Sequence, residues 1–112
     1  MKKIEAIIRL SQLQEVIDGL VNNNIHGLTC THVQGFGRQH GYNEVYRGRV
    51  VAPHFVDKVK IELIITEDKK ELALSVILEK AYTGEVGDGK VFISNIEEVY
   101  RIRTKEKGKE AL

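Results

Sequence analysis

Three glycines fall within six residues of the stretch Thr83-Gly84-Glu85-Val86-Gly87-Asp88-Gly89-Lys90, which runs straight into Val91-Phe92-Ile93-Ser94-Asn95-Ile96. Glycines of this density followed by an apolar run predict a tight turn feeding a strand. Gly87 and Gly89 let backbone N–H groups approach an anion closely, and Lys90 at the exit supplies matching charge. That chemistry suits a phosphate, although turn-then-strand also serves purely structural ends. Gly35-Phe36-Gly37-Arg38 is a second glycine-bracketed turn at a strand exit. Arg101 and Arg103 share one face of what reads as an extended segment, suited to gripping a polyanion from two points. Arg38, Lys90, Arg101 and Arg103 together fit a triphosphate, whose charge is costly to desolvate without partners.

Other chemistries are weaker. His26, His32, His40 and His54 match no compact ligand spacing, and the single cysteine, Cys30, adds little to a metal set. Cys30 sits in an apolar run and reads as a buried thiol. No nucleophile stands beside a base, so the chain does not read as an enzyme.

The elements that must position these groups come in a repeated order. Ile4, Ala6 and Ile8 alternate with Glu5, Ile7 and Arg9, a strand with both faces largely covered. Ser11 and Gln14 make a capping box ahead of a helix whose stripe is Leu13, Val16, Ile17, Leu20 and Val21, ended by Asn22-Asn23-Asn24 and Gly27. Residues 28–36 form a second strand. From Lys58 the pattern returns: Val59, Ile61, Leu63 and Ile65 alternate with Lys58, Lys60, Glu62 and Ile64. Asp68 and Glu71 repeat the capping signal, and Leu74, Ile77, Leu78 and Ala81 give the next stripe. Residues 91–96 are the fourth strand. The order β-α-β, loop, β-α-β predicts an α+β, ferredoxin-like sandwich with helices on one sheet face and neighbouring subunits on the other. Residues 37–57 lack any sustained period. A loop that long in a small domain is usually functional, the alternative being a β-hairpin over residues 43–51. Residues 98–112 form a basic C-terminal segment, read as solvated and partly frayed from Lys105 onward.

At 112 residues the chain reads as a single domain, 1–112. Its formal net charge of +1 gives no reason to expect general nucleic-acid or membrane affinity. No signal-peptide core and no stretch of transmembrane length occurs, so a soluble cytoplasmic protein without membrane insertion is expected.

Across essentially its whole length the chain resembles the PII signal-transduction proteins. The resemblance rests on the 83–96 stretch together with Met1-Lys2-Lys3-Ile4-Glu5-Ala6-Ile7-Ile8-Arg9, Gly35-Phe36-Gly37-Arg38-Gln39, Glu44-Val45-Tyr46-Arg47-Gly48, Lys58-Val59-Lys60-Ile61-Glu62 and Arg101-Ile102-Arg103-Thr104, in the family's order and spacing. It implies a homotrimer that reads nitrogen and energy status, binding ATP or ADP in clefts between subunits. Gly35, Phe36, Gly37, Arg38, Gly87, Gly89 and Lys90 would line the cleft, Thr29, Glu62 and Ile64 lie near the adenine and Asp88 near the ribose. Arg101 and Arg103 would reach over from the neighbour. In members that respond to 2-oxoglutarate, Mg2+ joins the ATP phosphates to the keto-acid; the residue matching Gln39 helps hold the metal, and the one matching Lys58 pairs with the distal carboxylate. Residues 37–57 match the family's T-loop, which engages a partner: an ammonium channel or other transporter, or a metabolic enzyme. Tyr46, Arg47, Arg49 and Val51 would meet it.

The chain departs from the family in places. Val51 stands where uridylylated members carry tyrosine, and Arg49 where others carry a phosphorylated serine, so control by small ligands alone is expected. Lys105 replaces a usual glycine, and Leu10-Ser11 a proline-bearing turn. An adenine-nucleotide sensor without a 2-oxoglutarate response is the alternative function. Two other classes share the β-α-β-β-α-β order. An RNA-recognition domain would need aromatics on its central strands, and residues 58–66 have none. A small hydrolase would need a glycine-rich anion cradle beside Asn22, Asn23 and Asn24.

Overall fold

The alternation in the first nine residues produces strand β1 (Lys2–Arg9), with Ile4, Ala6 and Ile8 fully buried on one face. This computed structural model describes residues 1–36, 45–46, 49–50 and 55–112. Helix α1 (Leu13–Asn22) follows, then β2 (Thr29–Gly35), two short strands β3 (Val45–Tyr46) and β4 (Arg49–Val50), β5 (Val56–Ile65), helix α2 (Lys70–Lys80) and β6 (Lys90–Asn95). The main sheet has the order β2-β5-β1-β6 and is antiparallel throughout. That is the duplicated split β-α-β arrangement expected from the sequence. β3 pairs with β4 through Val45↔Val50 and Tyr46↔Arg49, so the hairpin alternative describes this part of the loop. β5 begins at Val56, two residues earlier than the pattern implied, and shortens the loop accordingly.

One layer holds the core. Ile4, Ala6 and Ile8 stand opposite Leu63, Ile61 and Val59, and all six pack with Val16 and Leu20 of α1 and Ala73, Val76 and Ile77 of α2. Each fully buried Ile or Leu of this layer contributes about 1.5–3 kcal/mol relative to exposure. The helix stripes differ from those read in the sequence. Val21 is exposed, and α2 turns Ala73, Val76, Ile77 and Ala81 inward while leaving Leu78 in solvent. Small side chains face the neighbour because the helices pack closely: a Cβ on Gly19 of α1 would lie 2.8 Å from Val76 Cγ1.

The helix starts are also built differently. Neither capping box forms; each helix is preceded by a 3-10 turn, Leu10–Gln12 or Glu67–Lys69, with no side-chain cap. Gln12 instead donates from Nε2 to the Lys80 carbonyl at 3.0 Å, tying the start of α1 to the end of α2. The end of α1 follows the sequence more closely. Asn24 takes a left-handed conformation, and the Asn24 and Ile25 N–H groups donate to Val21 O and Leu20 O, which satisfies the last carbonyls and seats Ile25 in the core.

Among the described residues, both helices pack on the core face, and the middle of the opposite sheet face carries charged side chains. Lys60 reaches Glu62 at 3.1 Å and Glu5 at 3.6 Å, and Lys3 reaches the same two carboxylates at 3.7 and 3.9 Å. Glu5 and Glu62 are direct cross-strand partners, so the two lysines separate like charges that would otherwise repel. Ile7, Ile64 and Phe92 share this face.

Two further expectations change. Cys30 is exposed, because β2 is an edge strand, although partial burial still pushes its thiol up from the ordinary value. The C-terminal segment is not frayed. Gly108 N–H donates to Val99 O and Arg101 N–H to Glu106 O, at 2.8 and 2.9 Å, and Tyr100 bridges Lys107 in antiparallel fashion.

Candidate functional site

The 83–90 turn is held by a carboxylate. Asp88 accepts from the backbone N–H of Thr83 at 2.8 Å and of Gly84 at 2.9 Å, from the Thr83 hydroxyl, and from Arg9 Nε at 2.9 Å. These donors, the Thr83 hydroxyl foremost, keep its carboxyl well below the usual range. Arg9 also donates from Nη2 to Val86 O at 2.7 Å. Asp88 therefore organises the turn from inside. Gly87 and Gly89 both adopt positive φ, +109° and +97°. At Gly89 a Cβ would lie 1.7 Å from the Ile7 carbonyl oxygen, so the turn sits directly on the β1 backbone. Gly89 thus answers two needs at once, left-handed backbone and contact with a strand.

Lys58 completes this first cluster. Cross-strand from Arg9, it is only 7% exposed, and its ammonium donates to the Gly87 carbonyl. Burial lowers its pKa, and the nearby Arg9 charge lowers it further against the opposing pull of Asp88. Gly35 opens room for the Lys58 stem: a Cβ there would lie 3.2 Å from Lys58 Cγ. Just beyond, Phe36 and Phe55 meet with ring centroids 5.7 Å apart at the two ends of the long loop. Lys90, at the start of β6, is exposed and stands opposite Ile7.

A second cluster lies toward the other end of β5. A cleft of about 910 Å³ is lined by Thr29, Glu62, Ile64 and Arg101, together with Lys109 and Leu112 of the C-terminal segment. Thr29 and Glu62 are register partners across β2 and β5. Hydrogen bonding to Lys60 holds the Glu62 carboxyl below its ordinary value. Arg101 donates from Nη1 to Glu106 at 3.2 Å and from Nη2 to the Leu112 carbonyl at 3.0 Å. Arg101 and Arg103 do not lie on an extended segment: the chain turns at Ile102, closed by Lys105 N–H on the Arg101 carbonyl at 2.8 Å. Lys105 reaches this closure at φ +59°, a conformation that costs glycine nothing.

The structure thus gathers Gly35, Phe36, Lys58, Gly87, Asp88 and Gly89 in one place and Thr29, Glu62, Ile64 and Arg101 in another. From Lys58 to Ile64 the strand runs six residues, about 20 Å. Gly37, Arg38, Gln39, Arg47 and Val51 lie outside the described residues, and only the backbone pairing of Tyr46 and Arg49 is described. Sequence reasoning passed over Arg9, Thr83 and Glu106. Nothing in the spacing of Arg9, a cation ending the first strand, marks its pairing with Asp88. The hydrogen bonds of Thr83 and Glu106 depend on turns that no periodicity marks.

The model of the family described as "Nitrogen regulatory protein P-II" matches residues 1–106. A nitrogen regulatory protein P-II from Mesorhizobium japonicum is 50% identical over 112 residues, covering both chains completely. One from Pyropia yezoensis is 52% identical over the same full length. Among solved structures, Arabidopsis thaliana PII bound to citrate superposes with a TM-score of 0.81 at 37% identity, over 99% of this chain and 91% of that one. Sequence likeness from β1 through the C-terminal turn and likeness of fold over the same span point one way: the chain belongs to the nitrogen regulatory protein P-II family, a family of signal-transduction regulators.

Proposed function

We propose that the chain assembles as a homotrimer, binds ATP or ADP between subunits, and uses 2-oxoglutarate with Mg-ATP to set the loop that controls a transporter or an enzyme of nitrogen metabolism. The observation that carries this reading is the separation of the two clusters. Cationic and glycine-rich groups gather near Lys58, and groups suited to a nucleobase and its phosphates gather about 13–20 Å further along the same strand. Two half-sites set apart in this way suit a nucleotide held between copies of the chain. A copy seated on the sheet face opposite the core would set the second cluster of one subunit against the first cluster of the next.

The chemistry of the residues suits the ligands. Lys58 is buried and carries an ammonium bonded to a neutral carbonyl, so a carboxylate would be a better partner for it. Among the described residues no group of three or more His, Cys, Asp or Glu could hold a metal ion. A magnesium ion would accordingly come with the nucleotide, its oxygen ligands drawn from phosphates and keto-acid, with Gln39 as the protein's contribution. The citrate-bound Arabidopsis relative supports room for a small polycarboxylate in this fold. No described helix is long and apolar enough to cross a membrane; we place the protein in the cytoplasm, reaching a membrane only through a transporter such as an ammonium channel. The loop can be shifted only by a ligand that binds its arrangements unequally.

Calorimetric titration with ATP and ADP, then with 2-oxoglutarate in the presence of Mg-ATP, tests the reading. Nucleotide binding that tightens with the keto-acid, and a Lys58→Ala variant that keeps ATP binding and loses that coupling, are the expected results. Nucleotide binding without coupling in the native protein would leave an adenylate sensor. Absence of nucleotide binding would overturn the proposal.

A further inference from the structure

The Arg101 guanidinium already holds two oxygens that mimic an anionic ligand. Nη1 donates to the Glu106 carboxylate at 3.2 Å and Nη2 to the Leu112 carbonyl at 3.0 Å. Both acceptors are brought there by a built structure. The turn from Arg101 to Lys105, the Tyr100–Lys107 bridge and the Gly108 N–H on Val99 O fold the segment back on itself. The Lys107 ammonium lies 5.6 Å from the centre of the Tyr100 ring, and the 3-10 turn Gly108–Ala111 then delivers Leu112 to the guanidinium. Arg103, two residues on, makes no hydrogen bond or ion pair to another described residue. The same segment places Lys109, Ala111 and Leu112 on the wall of the cleft that Thr29, Glu62 and Ile64 line.

We propose that residues 106–112 are a self-occupying clasp: Glu106 and the Leu112 carbonyl hold Arg101 in place of a nucleotide phosphate, and ligand binding must displace them. The proposal rests on the nucleotide reading above and adds a built-in competitor that sets the affinity of the site. In the single subunit Arg101 and Glu106 keep 37% and 40% of their side-chain surface exposed, so on this side of the cleft the pair can part without leaving a charge buried alone. A solvated pair of this kind is weak enough for a phosphate to replace and strong enough to register in an affinity. The two acceptors also act through one side chain, so loss of either loosens the clasp and loss of both opens it.

Three full-length proteins in their native assembly are titrated calorimetrically with ATP: wild type, Glu106→Gln and Glu98→Gln. Glu98 pairs with Lys107 at 3.9 Å, so Glu98→Gln removes a negative charge from the same segment without touching Arg101. Glu106→Gln is expected to bind ATP roughly two- to five-fold more tightly, the size of one solvated ion pair. Glu98→Gln is expected to match wild type. Deletion of residues 108–112, with the fold checked by circular dichroism, removes the carbonyl acceptor and should also tighten binding. An unchanged or weaker affinity in Glu106→Gln, or an equal gain in Glu98→Gln, overturns the clasp while leaving nucleotide binding intact. ATP binding in none of the proteins, wild type included, refutes the nucleotide reading and the clasp with it.

Discussion

Asp88, expected near a ribose, also organises the turn that carries it. Its two oxygens accept four hydrogen bonds, three from Thr83 and Gly84 and one from Arg9. A carboxylate so engaged is acidic because every donor favours the charged form, and the linkage to stability has a definite sign. The folded-state pKa is depressed, so the stabilisation is fully present above the unfolded value of about 3.9 and is lost as pH falls through that value toward the folded one. Thermal stability of wild type should thus fall off more steeply as pH drops below about 4 than that of Asp88→Asn, which should already be less stable at neutral pH. Parallel curves for the two proteins would show that the carboxylate charge does not hold the turn. Arg9 belongs to the same network and was missed because a cation ending a strand looks like any solvated side chain until its partner is located.

At the scale of the elements, the turn and the strand beneath it form one unit. Gly89 has φ +97° and no room for a Cβ, which would lie 1.7 Å from the Ile7 carbonyl; Gly27 has φ +75° with nothing within 4 Å. An alanine at either site meets left-handed strain of about 1–2 kcal/mol, and only at position 89 is backbone overlap added. Gly27→Ala should therefore lower the Tm by roughly 4–8 °C per kcal/mol of that strain. Gly89→Ala should lower it further and displace the turn, weakening nucleotide binding as well. Equal Tm losses in the two variants would mean that the turn can lift from β1 freely. The elements were legible in the sequence wherever a period carried them: Ile4, Ala6 and Ile8, and Val59, Ile61, Leu63 and Ile65, point inward as their alternation requires. Helix α2 was read less well, because Leu74 and Leu78 outweigh Ala73 and Val76 in hydrophobicity while close helix packing selects the smaller side chains. The C-terminal segment was misread for a different reason. Its order depends on Lys105 in a left-handed conformation and on a salt bridge five residues apart, neither of which composition announces. Of the site, the glycine turn and the arginines were visible as types; that they fall into two clusters was not, since the grouping is set by strand register.

At the scale of the whole molecule, the sheet face bearing Lys3, Glu5, Lys60 and Glu62 is the one that the proposed assembly would cover. Its four charges are mutually paired, so another copy could cover them without leaving an unmatched ion. Ile7, between Lys60 and Lys90 in register, supplies apolar surface at the middle of that face and lies outside the core layer. Ile7→Glu replaces that apolar surface with a carboxylate between Lys60 and Lys90, a charge that a subunit seated on this face would have to strip of water. The subunit should keep its fold, because Ile4, Ala6 and Ile8 still pack on the helices, and circular dichroism should show it unchanged. Sedimentation should report a monomer where wild type reports a trimer, and ATP affinity should fall at least ten-fold, as each subunit then holds only half of a site. A monomeric variant that bound ATP as tightly as the native protein would mean that one chain completes the site alone, and the separation of Lys58 from Ile64 along β5 would need another explanation.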